Sequence, residues 1–369
     1  MSTRPSVAPE AKFARSILNQ YLKVRPGENV IIEGWSHSLP WATALAREVR
    51  RLRAYPLVLY EDEEAFWDGL AAKQETLYGA EPAHEWAALG KTDVYVHMWG
   101  PGDKLRLTKL GPRAERAFAW NENWYNTAAK AGVRGARLEI GRPFPSLAKA
   151  YGVDEEAWTR QLLEASMVNP AALQRAAAPI ARALERGHRV RVHDDQGTDL
   201  TLGLSGNRAV IATGTPTAQD RKNKYRILSS LPAGSVSVAL DPTVAEGTIR
   251  ANRSCYSDTT KATGGVFEFE GGRLVRQHYR TGWDEMFKAP YAKGGRDRDR
   301  PAQLRIGLNP KLHDTPQLED IEAGAITVAI GTNRFLPGGK NKSRYFGFVI
   351  NAGAAVEIDG RRLKLPRAA

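Results

Sequence analysis

Two different spacings of apolar residues divide this chain, and one layered domain cannot satisfy both. Between residues 11 and 23, Phe13, Ile17, Leu18 and Tyr21 recur at helical spacing, and Pro26-Gly27-Glu28 then turns the chain into the short apolar run Val30-Ile31-Ile32. Residues 39 to 52 again read as helix, and Leu57-Val58-Leu59-Tyr60 and residues 94 to 98 read as strands. Helices alternating with short buried strands predict a parallel sheet. Past Pro143-Phe144-Pro145, residues 147 to 186 are helical with a break at Asn169-Pro170, ending near Gly187 as a connector. From Arg189 onward only strands remain, punctuated by Gly, Asn and Pro: 190–193, 200–204, 209–212, 235–240, 266–270, 326–330, 345–350 and 356–358. The expected fold is an N-terminal α/β domain with a parallel sheet over residues 1–188, connector included, and a β-rich α+β domain over 189–369. A length of 369 residues suffices for two cores.

Composition removes several classes of function. No run of eighteen apolar residues lacks a charge, so no membrane span is expected. The opening MSTRPSVAPEAKFARS lacks the apolar centre of a secretory signal, which makes the cytoplasm the expected location. Cys255 is the sole cysteine, so neither an intrachain disulfide nor a Cys-based zinc site can form, and a buried apolar role is expected for it. The formal charge of +12 raises nucleic acid as a partner. The basic residues are scattered, however, and Arg296-Asp297-Arg298-Asp299-Arg300 neutralises itself. With no zinc-finger, RNP-like or helix-turn-helix pattern, a solvated Arg-rich surface is the first reading, an anionic small ligand or peptide the second, and nucleic acid the last.

Local motifs add little chemistry. His188 and His193 are five apart on one expected strand and point to opposite faces, so they do not chelate. No HExxH, HxH, P-loop, GxGxxG or GxSxG pattern occurs, and His313-Asp314 is an isolated pair. His278 is a candidate general base, with a surface role as its plainer reading. Phe118, Trp120, Trp124 and Tyr125, interleaved with Asn121, Glu122, Asn123 and Asn126, suit a ligand-lining loop or, more simply, packing in a core or interface.

Six fragments in order resemble a known family: residues 21–30 (YLKVRPGENV), Gly197-Thr198-Asp199-Leu200-Thr201, Leu231-Pro232-Ala233-Gly234 with Glu246-Gly247-Thr248-Ile249, Ile306-Gly307-Leu308-Asn309-Pro310, Ala329-Ile330-Gly331 and Asn341-Lys342-Ser343. The sequence is similar to the aminopeptidase T and aminopeptidase S metallopeptidases from about residue 11 to 360. The resemblance implies the two domains above, an active-site cleft built by the second, and a homodimer. It also implies metal ligands at positions held here by other residues: a glutamate at Ser235, a second at Gln303, a histidine at Thr327, and a His-x-Asp pair at Phe346 and Phe348. The family's catalytic tyrosine falls on Arg334 or Phe335.

Hydroxyls, an amide and phenyl rings cannot replace carboxylate and imidazole donors. The sequence therefore predicts no metal, no cofactor and a cleft lined by Ser235, Gln303, Thr327, Arg334, Phe335, Arg344, Tyr345, Phe346 and Phe348, with His278, Arg305 and Lys340 as further polar candidates. The basic members would suit an anion, and the phenyl rings an aromatic group. The expected function is binding of a peptide or a small anionic or aromatic molecule without the family's aminopeptidase activity. Two alternatives stand beside it: new metal-independent chemistry in the same cleft, or metal-dependent hydrolysis through relocated ligands among His278, His313, Asp314, Glu319 and Asp320.

Overall fold

The computed structural model describes residues 8–224, 226–257 and 259–367. The chain divides into two compact units, one running through Pro170 and including Gly214–Pro232, the other comprising Ala171–Thr213 and Ala233 onward. Among the described residues no helix is long and apolar enough to cross a membrane.

The first unit is built on five parallel strands in the spatial order Tyr55–Glu61, Asn29–Trp35, Val94–Met98, Arg134–Leu138, Leu228–Leu231. The α/β reading with a parallel sheet thus holds. Sequence spacing missed the last two strands, because RGARL and LSSL carry too few apolar residues to stand out. Their pairing partners, not their own composition, make them strands. The opening helix Pro9–Arg15 continues as a π-helical segment, Ser16–Tyr21, and buries Phe13, Ile17, Leu18 and Tyr21 as their spacing predicts.

Chain order explains where this sheet can hold a ligand. From Asn29–Trp35 the chain visits the edge strand Tyr55–Glu61 and then returns to Val94–Met98 on the opposite side. The direction of winding reverses between those two strands, which opens a crevice at their carboxyl ends. Register aligns Ile31 with Tyr95 and Glu33 with His97, so these four side chains share one face of the sheet. Val30, Ile32, Val94 and Val96 occupy the other and are fully buried.

Glu63, at the start of helix Glu63–Ala71, fastens the loop after the third strand. Its carboxylate accepts from the backbone N–H of Gly102 at 2.8 Å and of Asp103 at 3.2 Å, and from Trp67 Nε1 at 3.0 Å. Burial alone would raise this carboxyl, but His37 and these donors outweigh it and draw it from an ordinary 4.5 to about 2. A depressed folded-state value means the stabilisation is complete above pH 4.5 and drains away as pH falls toward 2.

The second unit contains an eleven-stranded antiparallel sheet organised by the 16-residue strand Ser235–Arg250. Along its first half this strand pairs with Val210–Ala212 and Pro301–Gly307, and along its second half with Asp199–Leu204 and Val266–Glu270. Sequence reading ended this strand at residue 240, ahead of Asp241-Pro242. Pairing instead runs past it, from Leu204 opposite Leu240 to Leu202 opposite Ala245, with a register shift that leaves Asp241-Pro242 in a bulge.

Replacing Glu63 by Gln is expected to cost the first unit about 1–3 kcal/mol near neutral pH, the worth of hydrogen bonds to a charged group. The same substitution should flatten the acid dependence between pH 4.5 and 2. Amide hydrogen exchange of the Val94–Met98 strand in both proteins, near neutral pH and at the acid end of that window, measures both effects.

Candidate functional site

Four adjacent strands of the second unit gather most residues singled out from sequence. Pairing places Ser237 opposite Arg305, Arg305 opposite Thr327, and Thr327 opposite Ile350. The next row runs Ala239, Gln303, Ala329, Phe348, and Phe346 lies opposite Gly331. Directly opposed residues point the same way and side chains alternate along each strand, so Ser235, Ser237, Gln303, Arg305, Thr327, Phe346 and Phe348 share one face. The reverse face carries Val236, Val238, Leu304, Ile306, Ile326, Val328 and Val349, all buried core.

The turn before Ser235 is held in place by its own chemistry. Gly234 has φ +135°, and a Cβ there would meet the backbone nitrogen of Asn309 at 3.0 Å, so both conformation and space call for glycine. Asn309 is fully buried and donates from Nδ2 to the carbonyl of Ala233 at 2.8 Å. This lock sets where the strand starts, and hence which of its residues face the polar side.

On that face Arg305 donates through Nε to Ser237 Oγ at 3.1 Å and forms an ion pair with Asp320. The positive charge assigned to Arg305 for an anionic ligand is thus already countered. Gln303 and Thr327 are 1% and 3% exposed, and Gln303 Nε2 and Thr327 Oγ1 find no hydrogen-bond partner among the described residues. The two lie diagonally across adjacent strands. Toward the sheet edge an aromatic run begins: Phe335 is 5.6 Å from Phe346 and Phe346 is 5.9 Å from Phe348, between ring centroids. Phe346 remains 36% exposed on the edge strand Phe346–Ala352.

The remaining candidates lie elsewhere in their surroundings. Arg334, Lys340 and Arg344 are exposed and make no ion pair among the described residues. Tyr345 is buried against Gly294 and Gly347, and its hydroxyl accepts from Gln277 Nε2 at 2.9 Å. His278 is exposed at the end of strand Arg273–His278, opposite Val266. Ser237 escaped the sequence reading, although the alternation Ser235-Val236-Ser237-Val238 places it on the same side as Ser235.

The relocated-ligand residues do not converge. Among the described residues no three His, Cys, Asp or Glu side chains form a group able to hold a metal ion. Asp320 is paired with Arg305, and Glu322 is clamped by Arg253 at 2.7 Å and lies 3.4 Å from His313 Nδ1. Burial, reinforced by Asp320, pushes the Glu319 carboxyl well above the usual range, which favours its neutral form. Cys255 is buried, and burial likewise raises its thiol. As donors for a divalent cation, the hydroxyls, amide and phenyl rings of the polar face do not fit.

The chain thus combines a parallel α/β unit with an antiparallel β-rich unit that carries a polar sheet face. Residues 9–289 match the thermophilic metalloprotease family M29, and the chain belongs to that family. Wild-type AmpT from Thermus thermophilus shares the fold with a TM-score of 0.72 at 22% identity, over 97% of this chain and 98% of that one. The 2,5-dihydroxypyridine dioxygenase from Pseudomonas putida KT2440 is also similar, with a TM-score of 0.58 at 15% identity over 98% of both chains. No curated protein matches the sequence.

Thr327→Val tests the polar face directly. Because the hydroxyl makes no hydrogen bond among the described residues, its removal is expected to leave the denaturation midpoint within the equivalent of about 1 kcal/mol, or to raise it. A markedly larger loss would show that the hydroxyl is bonded within the protein.

Proposed function

We propose that this member of the M29 family binds a peptide or a small aromatic molecule on the polar face of its second unit and does so without the metal chemistry of the family. The observation that carries this reading is the sharing of one sheet face by Ser235, Gln303, Thr327, Phe346 and Phe348, a set with no anionic or imidazole donor. These are the positions at which resemblance implied two glutamates, two histidines and an aspartate.

The substitutions make physical sense as a group. Removing cations and their ligands together leaves no unpaired charge on a buried face, and phenyl rings occupy volume at its edge. What remains is neutral. The partly exposed rings of Phe335, Phe346 and Phe348 suit an aromatic or aliphatic side chain of a ligand.

Protein purified without chelator is expected to carry no stoichiometric zinc, cobalt or manganese by elemental mass spectrometry, and to show no aminopeptidase turnover when these metals are added. Bound metal with metal-stimulated turnover would overturn the reading. Restoring donors in the combined variant S235E/Q303E/T327H/F346H/F348D is expected to introduce zinc binding that the parent lacks. Calorimetric titration with phenylalanine-containing dipeptides should show saturable binding, weakened by about tenfold in Phe346→Ala, as loss of one buried aromatic contact predicts.

A further inference from the structure

The first unit contains a separate cavity of about 490 Å³, a size suited to a small organic molecule. It lies against the sheet face that bears Ile31, Glu33 and Tyr95, beside the strand pair where the winding direction reverses. The aromatic run in residues 118–125 supplies part of its wall. That run forms a helix, Asn121–Ala131, with its preceding turn, where sequence reading allowed a loop. Trp124 is buried against Tyr95, with ring centroids 4.8 Å apart, so the packing role expected for it is also met.

Two features of the lining identify the ligand's chemistry. The first is aromatic surface: Phe118, Trp120 and Trp86 stand in sequence of contact, with Trp86 and Trp120 6.3 Å apart and nearly perpendicular. The second is the sign of the charge. The chain has 53 lysines and arginines, yet the lining contains none of them, and beside the basic side chain of His84 it contains Glu33, Glu61 and Glu85. A cavity for an anion would draw on the abundant cations, and one for a purely apolar molecule would exclude carboxylates. Aromatic faces combined with carboxylates favour a positively charged organic group, which is attracted both by the ring quadrupoles and by the acids.

The carboxylates differ in their engagement. Glu33 is occupied by His97 Nδ1 at 3.1 Å and by the hydroxyl of Tyr95. Glu61 makes no side-chain hydrogen bond or ion pair among the described residues, and Glu85 has only the exposed His84 at 3.9 Å. Burial, and then mutual repulsion among the acids, holds Glu61 above the ordinary carboxylate range, and burial does the same for Glu85. A cation between them relieves that repulsion.

We propose that this cavity is a binding site for a small organic cation, an amine or quaternary ammonium compound. The site is independent of the polar face of the second unit. Isothermal titration of the full chain with acetylcholine and with its uncharged isostere 3,3-dimethylbutyl acetate separates charge from shape. The charged probe is expected to bind at least about tenfold more tightly, the scale of one charge-dependent contact. Glu61→Gln/Glu85→Gln should bring the two probes to equal affinity, and Glu85→Gln alone, on the half-exposed rim, serves if the double variant melts early. Glu156→Gln, on a distant exposed helix position, should change nothing. Absence of saturable binding, equal binding of the two probes, or charge preference that survives the carboxylate substitutions would each overturn the proposal.

Discussion

The Ser235–Arg250 strand is the element on which the second unit depends, because it alone pairs with both halves of the large sheet. Its first half sets Ser235 and Ser237 against Pro301–Gly307, and its second half carries Asp199–Leu204 and Val266–Glu270. A slip of one residue would turn Val236 and Val238 out and bring Ser235 and Ser237 into the core. The lock between Gly234 and Asn309 at one end and the bulge at Asp241-Pro242 in the middle hold that register, with Asp241 Oδ1 accepting from the Thr243 N–H at 2.8 Å. The arrangement of the polar face is thus a consequence of strand register and not of any local motif.

The two faces of these four strands meet different physical demands. On the core side of the four strands Val236, Val238, Leu304, Ile306, Ile326, Val328 and Val349 are buried, and the polar Asn351 beside them is hydrogen-bonded to Asp194 and to the Arg250 carbonyl. Positions on the polar face can change while the fold persists, provided that no charge is left buried without a partner. Here the face meets that condition: its one cation, Arg305, is matched by Asp320, and its other polar members are neutral. AmpT and the dioxygenase share the fold with this chain, and a shared fold does not fix the site built on it.

In the first unit, charge is sorted against the grain of the composition. A chain with a net +12 keeps its cations off the lining of its aromatic cavity and places carboxylates there, at the reversal point of a parallel sheet. Bulk charge describes the solvated surface and governs long-range attraction. It says little about a concave site, whose chemistry is set by a few side chains brought together from distant segments.

Sequence alone determined the class of each unit and most of its elements, since hydrophobic period is a local property: spacing of 3.6 for Phe13, Ile17 and Tyr21, and of two for Val236 and Val238. It also determined which residue types stand at the positions resemblance marked for metal ligands. Tertiary structure decided the rest. Strands such as Arg134–Leu138, Leu228–Leu231 and Pro301–Gly307 exist through pairing with partners that lie far away in the chain. Arg305 and Asp320 neutralise one another, Tyr345 packs against glycines, and Glu33, Glu61 and Glu85 meet around one cavity, all through contacts that no sequence window spans. The physical reason is that burial and electrostatics act on distances in space, whereas periodicity and motif act on distances along the chain.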